Sequence, residues 1–350
     1  MQTINLQRKC GTSLHRQLVS ELRRYIEHSL PGTRLPSETA FCRQYGLARM
    51  TVSKAMKELE AQGILERRQG SGTYVTSEPN LVFLLPYADC FTDKDHTNNN
   101  MRLYFSGVMK AAHDLHLRVE TIAVSPTNNP DDINFDFFRH ITSASRVILT
   151  PWFYKVFELL AGRRARVCLQ HNQNLSIIPP AARAVIGGWC LQEMDRKAGV
   201  EQVIRFWLDQ GCRRIALLVP YISSNESDHA VLTTYRRLMQ EAGLPEIFQE
   251  LQPMCSHPRQ VTALYERCPF DALLTANCYE KAAGNPKAYL GLPATVRLGF
   301  AEGNADAMPT SADFSCYFFP YAQVGYEAVQ MLLLPEPSQR IYAPQVLLES

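Results

Sequence analysis

The stretch from Leu35 to Val75, LPSETAFCRQYGLARMTVSKAMKELEAQGILERRQGSGTYV, limits what this chain can fold into more than any other. Val52, Ala55, Met56 and Leu59 fall at i, i+3, i+4 and i+7, one stripe of a 3.6-residue helix. The opposite face carries Arg49, Met50, Ser53, Lys54 and Lys57. A shorter helix is predicted before it, starting at Ser37, whose hydroxyl can accept a free N–H of the first turn. Glu38 suits the positive end of that helix's dipole. Gly46 sits where the chain must turn between the two helices. Past Gly63, Ile64–Arg68 and Thr73–Val75 read as two short strands. Gln69-Gly70-Ser71-Gly72 is the turn between them.

Helix, turn, amphipathic helix and basic hairpin, in that order, are the parts of a winged helix-turn-helix. One face of its second helix packs on the domain and the other meets the major groove. Charge separates this reading from that of an ordinary helical subdomain with a solvated face. Residues 1–76 hold 12 Lys and Arg against 6 Asp and Glu, while the rest of the chain holds 24 against 28. A positive N-terminal fifth on a slightly negative remainder is expected where phosphates must be neutralised.

Residues 13–76 resemble the DNA-binding domain of the GntR family of bacterial transcription regulators. The resemblance rests on Leu35-Pro36-Ser37-Glu38, on Gly46 to Val52, on Leu59, on Gly63-Ile64-Leu65 and on Arg68 to Val75. It implies that a helix over about Ser13 to Ser29 supports the other two. It also implies that Arg49, in the turn before the recognition helix, contacts DNA, and that Gly70 and Gly72 enter the minor groove. The DNA-contacting set is then Ser37, Thr39, Arg49, Met50, Thr51, Ser53, Lys54 and Lys57, with Arg68, Gln69, Gly70, Ser71 and Gly72 of the wing. The chain departs from the family pattern at Ala48, where a capping Ser or Thr is usual, and at Thr39, Phe41 and Ser53, near positions where many members carry Arg.

After a short polar linker at 77–80, an apolar run at Leu81–Pro86 opens a region of alternating strand and helix patterns. Val119–Val124, Arg146–Thr150, Arg166–Gln170, Arg214–Val219, Asp271–Thr275 and Val296–Phe300 read as buried strands. Amphipathic segments lie near 103–116, 132–142, 153–162, 192–210, 229–242, 258–267 and 320–334. Such alternation predicts an α/β fold with parallel sheets and helices on both faces. The length suits two lobes. The expected domains are a winged helix-turn-helix over 1–76, which is α+β, and a two-lobed, doubly wound sensor over 81–350.

This second region resembles, on scattered points, the periplasmic-binding-protein-like sensor of LacI/GalR regulators. The points are QGCRRIALLV at 210–219, YRRLMQEAGLP at 235–245, DALLTAN at 271–277, VRLGF at 296–300 and YFFPYAQVGYEAV at 317–329. The resemblance implies a small-molecule effector, sugar-like, held between the lobes, and a homodimer. In open α/β sheets ligands bind at the carboxyl ends of the strands. Residues expected there are Tyr87, Asp89, Trp152, His171, Asn172, Tyr221, His229, Asn277 and Glu302, aromatic faces with amide and carboxylate groups that suit a polar ring. Three polar anchors usual in sugar-binding members are changed. No Arg opens the helix that His229 begins, Cys278 follows Asn277, and Ala301 follows Phe300.

Other chemistry is not signalled. The ten cysteines form no C-x-x-C pair, so neither a zinc site nor a redox motif is expected, and reduced buried thiols fit a cytoplasmic chain. No signal segment and no run of 18 apolar residues argue for a membrane. No G-x-S-x-G, Walker or G-x-G-x-x-G motif follows a strand. Asn98-Asn99-Asn100 reads as part of a polar loop. The expectation is a cytoplasmic, homodimeric DNA-binding regulator, a repressor, with no cofactor and no enzymatic activity. Its partners are a double-stranded operator and a small effector. Two other classes remain open at this point. One is a ligand-independent DNA-binding protein whose sensor serves only dimerisation. The other is an enzyme on a DNA-binding head, for which Lys281 and Lys287 are the late lysines a pyridoxal cofactor would need.

Overall fold

The structure, a computed structural model, describes residues 13–27, 29, 32–61, 64–68, 70–75, 81–90, 99–115, 117–139, 141–143, 145–173, 175–219, 229–252, 255–278, 282, 284–302 and 313–349. The expected linker at 77–80 and the site candidates Gln69 and Tyr221 lie outside the described residues. Two compact units are present. One comprises Met1–Ala88, Ala112–Ile148 and Lys155–Val167; the other comprises Asp89–Ala111, Leu149–Tyr154 and Cys168–Ser350.

The first unit begins with α1 (Leu14–Glu27), α2 (Glu38–Tyr45), α3 (Arg49–Ala61), β1 (Leu65–Arg68) and β2 (Gly72–Val75). Leu18, Leu22 and Ile26 recur every four residues along α1 and bury against Phe41 of α2, the Val52/Ala55/Met56/Leu59 stripe of α3, and Leu65 and Val75 of the hairpin. The Ser37 hydroxyl accepts from the Ala40 N–H at 3.2 Å, and Gly46 ends α2 in the left-handed region at φ 60°. Each of these residues does what its type predicts. The hairpin is antiparallel, pairing Leu65 with Val75 and Arg68 with Gly72. The sequence did not announce a third pairing partner. Leu35 N–H donates to Thr73 O at 2.8 Å and Val75 N–H to Thr33 O at 2.8 Å, so residues 32–35 flank the wing.

The chain continues through β3 (Leu81–Tyr87), α4 (Asn99–Asp114), β4 (Val119–Ser125), β5 (Arg146–Leu149), α5 (Phe157–Gly162), β6 (Arg166–His171), α6 (Pro180–Ala184), β7 (Cys190–Met194), α7 (Arg196–Asp209) and β8 (Ile215–Val219). It ends with α8 (Ala230–Ala242), β9 (Ile247–Glu250), α9 (His257–Arg267), β10 (Ala272–Thr275), α10 (Pro286–Tyr289), β11 (Arg297–Phe300), β12 (Ser315–Phe318), α11 (Tyr321–Leu333), β13 (Gln339–Tyr342) and β14 (Gln345–Leu347). The strands form two six-stranded sheets, ordered β13-β7-β6-β5-β3-β4 and β14-β12-β11-β10-β8-β9. Among the described residues the pairings of both are parallel, except that β12 and β14 run antiparallel. β8 is buried along its whole length, as a strand covered on both faces must be.

Three sequence expectations need correction. Residues 132–142 are not an amphipathic helix but 3-10 turns at Pro130–Asp132 and Phe135–Phe138. The side chains of Asn129 and Asn134 cap them by accepting from Asp131 and Asp136 N–H at 3.0 Å. Asn before a short acidic run makes turns rather than helices. The segment 192–210 is a strand followed by a helix. Asp195 caps α7, its carboxylate accepting from the Ala198 N–H at 3.1 Å, and so marks a helix start that periodicity alone ran past. Asn99 and Asn100 belong to the first turn of α4, not to a loop.

Two glycine positions bring the helices of the second unit close together. A Cβ on Gly325 of α11 would lie 1.9 Å from the Tyr104 carbonyl oxygen, and one on Gly107 of α4 would lie 1.8 Å from that of Ala322. The two backbones therefore touch. A chain of hydrogen bonds fixes the same region. Tyr104 O–H donates to Gln192 Oε1 (2.8 Å), Gln192 Nε2 donates to the Tyr342 oxygen (2.9 Å) and to Val324 O (2.8 Å), and Tyr342 O–H donates to Glu327 (2.8 Å). Gln192 is fully buried, so this pairing satisfies an amide that would otherwise be costly.

Candidate functional site

The α3 face opposite the core presents Met50, Ser53, Lys54 and Lys57 at i, i+3, i+4 and i+7, with Arg49 beside them. Arg49, Met50, Lys54 and Lys57 are exposed, and Thr51 and Ser53 are half-buried. Among the described residues no carboxylate pairs with Arg49, Lys54 or Lys57. The nearby wing arginines differ. Arg67 pairs with Glu38 (2.6 Å) and Glu60 (3.3 Å), while Arg68 pairs with Glu66 (3.1 Å) and lies 4.7 Å from the Tyr74 ring centre. On α3, unlike at the wing arginines, a polyanion would meet Arg49, Lys54 and Lys57 without first breaking an ion pair.

Ser37 and Thr39 are exposed at the start of α2, and Ser37 is already occupied as its cap. Ala48 offers only its carbonyl, which accepts from Thr51 and Val52 N–H at 3.0 and 3.2 Å. Gly70 (φ 74°) and Gly72 (φ 133°) both hold the positive φ that the hairpin tip needs, and Ser71 between them is hydrogen-bonded through its hydroxyl to Tyr74 Oη at 2.6 Å.

The second unit holds a polar cavity of about 80 Å³ lined by Asn100, Met101, Tyr104, Gln170, Asn172, Arg196, Glu302 and Tyr321. Its centre is an ion pair between Arg196 and Glu302, whose side chains are 26% and 6% exposed. Glu302 also accepts from Asn100 Nδ2 at 2.9 Å and from the Tyr321 hydroxyl. Glu302 is held at φ 78°, a left-handed position that non-glycine residues occupy at a cost and that recurs at ligand sites. Burial pushes the Tyr321 phenol well above its ordinary value, and the Glu302 charge adds to this. Burial works against the Arg196 charge, but the Glu302 carboxylate outweighs it and holds the guanidinium ionised.

Local structure sets this geometry. Gln173, at φ 57°, donates to Glu193 and Asp195 at 3.0 Å each and accepts from the Lys197 N–H at 3.0 Å. It ties the loop after β6 to the first turn of α7, where Arg196 stands. One turn on, a Cβ at Gly199 would lie 2.5 Å from the Tyr317 ring, so only glycine lets α7 pack so closely on β12. Tyr317 is buried with no hydrogen-bond partner for its hydroxyl among the described residues, and the Arg196 Nε also lacks one.

Of the residues expected from sequence, Asn172 and Glu302 line this cavity. His171 is buried next to Asn172, with Nε2 3.9 Å from Glu193, and burial lowers its pKa against the raising effect of that carboxylate. His229 caps α8 by accepting from Leu232 N–H at 3.5 Å. Its pKa is lowered first by burial and then by the Arg196 charge. Tyr87, Asp89, Trp152 and Asn277 are not among the lining residues. Asp89 and Asn277 are exposed, and Trp152 rests edge-on against Phe153 at 5.0 Å. The Arg196 charge of α7 is felt at His229, the first residue before α8. Sequence reasoning missed Arg196, Tyr321, Gln170, Tyr104, Met101 and Asn100. Only Arg196 left a trace: a cation in a helix's first turn works against the dipole and asks for a reason. Among the described residues there is no cluster of His, Cys, Asp or Glu fit for a metal ion, and no helix is long and apolar enough to cross a membrane.

Residues 14–75 match the family of bacterial regulatory proteins, gntR family. The mannosyl-D-glycerate transport/metabolism system repressor MngR of Escherichia coli is 43% identical over 67 residues, which is 19% of this chain and 28% of that protein. The transcriptional repressor NagR of Bacillus subtilis is 32% identical over 92 residues, 26% of this chain and 37% of that one. The chain therefore spans about a third of the length of these curated relatives, and much of that stretch is the head. Solved structures extend further at low identity. A PurR family regulator of Vibrio parahaemolyticus covers 77% of this chain and 97% of its own (TM-score 0.58, 12% identity). A LacI family regulator of Enterococcus faecium with bound ribose covers 76% and 96% (TM-score 0.56, 14%). The lac repressor dimer bound to operator and the anti-inducer ONPF covers 85% and 88% (TM-score 0.52, 14%). The chain thus joins a GntR-family winged helix-turn-helix head, over residues 14–75, to a region with the fold of LacI-type sensors.

Proposed function

We propose that this chain is a homodimeric transcriptional repressor that binds an operator through α3 and its wing, and whose operator affinity answers to a small polar effector in the second unit. The observation that carries the first half is the stripe of exposed cations on α3, unpaired with any described carboxylate, in a head of the GntR family. Phosphate neutralisation by such residues supplies the sequence-independent part of the affinity, and the first turn of the helix meets the base edges. A two-fold protein matches half-sites one helical turn apart. The curated relatives are named as repressors, which supports that sign of regulation and a role that is not enzymatic. Such a protein works in the cytoplasm, where the genome is. Arg49→Ala tests this reading. Gel-shift affinity for an operator selected from random duplexes should fall at least tenfold while the melting temperature stays put. Unchanged affinity would sink Arg49 as a DNA contact.

The effector half rests on the Arg196–Glu302 cavity. It offers a cation, a carboxylate, three amides and two phenols, which together can satisfy the donors and acceptors of a hydroxylated or amide-bearing ligand. Ligand pockets run to about 300 Å³ and more. A cavity of about 80 Å³ with its charges paired to each other must therefore open before a ligand of sugar size can enter. The proposed coupling is that the ligand takes over the bonds Arg196 and Glu302 now make to each other, and that the movement alters the relation of the two heads in a dimer. The mutual satisfaction of those two charges also favours a second reading, in which the sensor has no effector and serves only dimerisation. Thermal shift against a panel of sugars, sugar acids and amino sugars decides between them. Stabilisation that disappears in Glu302→Gln supports the effector. No stabilisation by any compound supports the dimerisation module.

A further inference from the structure

Met50 is 84% exposed, more than any other large apolar residue among those described. The head is otherwise well packed. Val52, Ala55, Met56 and Leu59 of the same helix are each 1% exposed or less. A lone exposed methionine on a monomer surface would need no explanation. This one stands in the first turn of α3, on the stripe it shares with Ser53, Lys54 and Lys57 and next to Arg49. Those neighbours are donors to phosphates and base edges, and Met50 can donate nothing. Its thioether is long, flexible and polarisable, suited to filling an apolar recess. It adds nothing to the electrostatic attraction and leaves water to cover an apolar side chain in the free protein.

The floor of the major groove offers one apolar group, the C5-methyl of thymine. All other features there are hydrogen-bond donors and acceptors. We infer that Met50 is a specificity-determining residue that selects a thymine in each operator half-site through contact with its methyl group. This rests on the reading of α3 as the recognition helix and sharpens it by naming one base and the atom by which it is read. It also distinguishes the roles of the residues on this face. Lys54 and Lys57 set affinity for any duplex, whereas Met50 sets preference among duplexes.

The test uses the full chain and replaces one methyl group at a time. Operators are first selected from random duplexes. Each thymine of the enriched half-site is then replaced singly by uracil, which pairs identically and lacks only the methyl. At one position the substitution should weaken binding by the wild-type protein about fourfold, the effect of exposing one buried methyl-sized group. The same duplex should bind Met50→Ala as well as the thymine duplex does. Met50 is too exposed to contribute to the packing of the head, so Met50→Ala should melt with the wild type. If no thymine position shows a methyl effect, or if every methyl effect persists in Met50→Ala, the assignment of Met50 is overturned while operator binding stands. If selection enriches no sequence at all, the DNA-binding reading falls and takes this inference with it.

Discussion

Replacing Arg196 with methionine removes the cation from the Arg196–Glu302 pair while keeping a long side chain in place. Glu302 would then keep its bonds from Asn100 and Tyr321 on one oxygen, but the oxygen now paired with Arg196 would be left buried without a partner. Breaking a buried pair from one side costs about 3–5 kcal/mol. Arg196 is about a quarter exposed, so water already weakens the pair and the lower end applies, about 3 kcal/mol. Converting Glu302 to Gln in the same chain removes the stranded charge. The double variant Arg196→Met/Glu302→Gln should therefore be more stable than Arg196→Met alone, with a coupling of about 1–2 kcal/mol. The assay is urea unfolding followed by tryptophan fluorescence. The three tryptophans, Trp152, Trp189 and Trp207, all lie outside the head, so the signal reports on the region that holds the pair. With a slope of about 3 kcal/mol per molar urea, the single variant should unfold roughly 1 M earlier than the wild type. A midpoint that does not move, or single effects that simply add, would refute the claim that this pair organises the cavity.

Other outcomes follow from the same geometry. Lys54→Ala and Lys57→Ala should each lower the slope of log affinity against log salt by about one, measured by anisotropy on any duplex, with no change in sequence preference. Gly325→Ala places a methyl 1.9 Å from the Tyr104 carbonyl and should destabilise the chain by about 3 kcal/mol or more in the same urea assay, because backbone faces backbone there. His171 and His229 both have folded pKa values below the ordinary 6.5, so the unfolded chain binds more protons just below that pH. Stability should therefore fall as pH drops from about 6.5 through the folded values. His171→Gln should flatten that part of the curve, seen as melting temperature against pH.

The head was legible because each of its devices is local. A serine cap, an apolar stripe at helical spacing, a glycine in the left-handed region and a two-glycine hairpin each show within a few residues, and the structure places all four. The flank of residues 32–35 on the wing was not legible, since no pattern in four residues says which edge they will meet. In the larger region the longer buried strands could be read from apolar runs. β7, with its polar Gln192 and Glu193, could not, because Gln192 is buried by virtue of partners far away in sequence. The cavity was the least legible part. The rule that ligands sit at strand ends found Asn172 and Glu302. It could not find Arg196, Tyr321 and Asn100, which come from the first turns of three helices and meet only in the folded chain. Cap residues are the remedy that sequence offers. Recognising Asp195 as a cap would have split 192–210 and exposed Arg196 as a cation at the wrong end of its helix.

The central claim, that α3 and its wing read a specific DNA sequence, is tested most directly by competition. The full chain is bound to a labelled duplex enriched from a random pool and challenged with the same duplex or a scrambled one at physiological salt. The account predicts that the enriched duplex competes at least about 1,000-fold better than the scrambled one. Equal competition by the two would contradict it, leaving only the charge-driven binding that any basic surface provides.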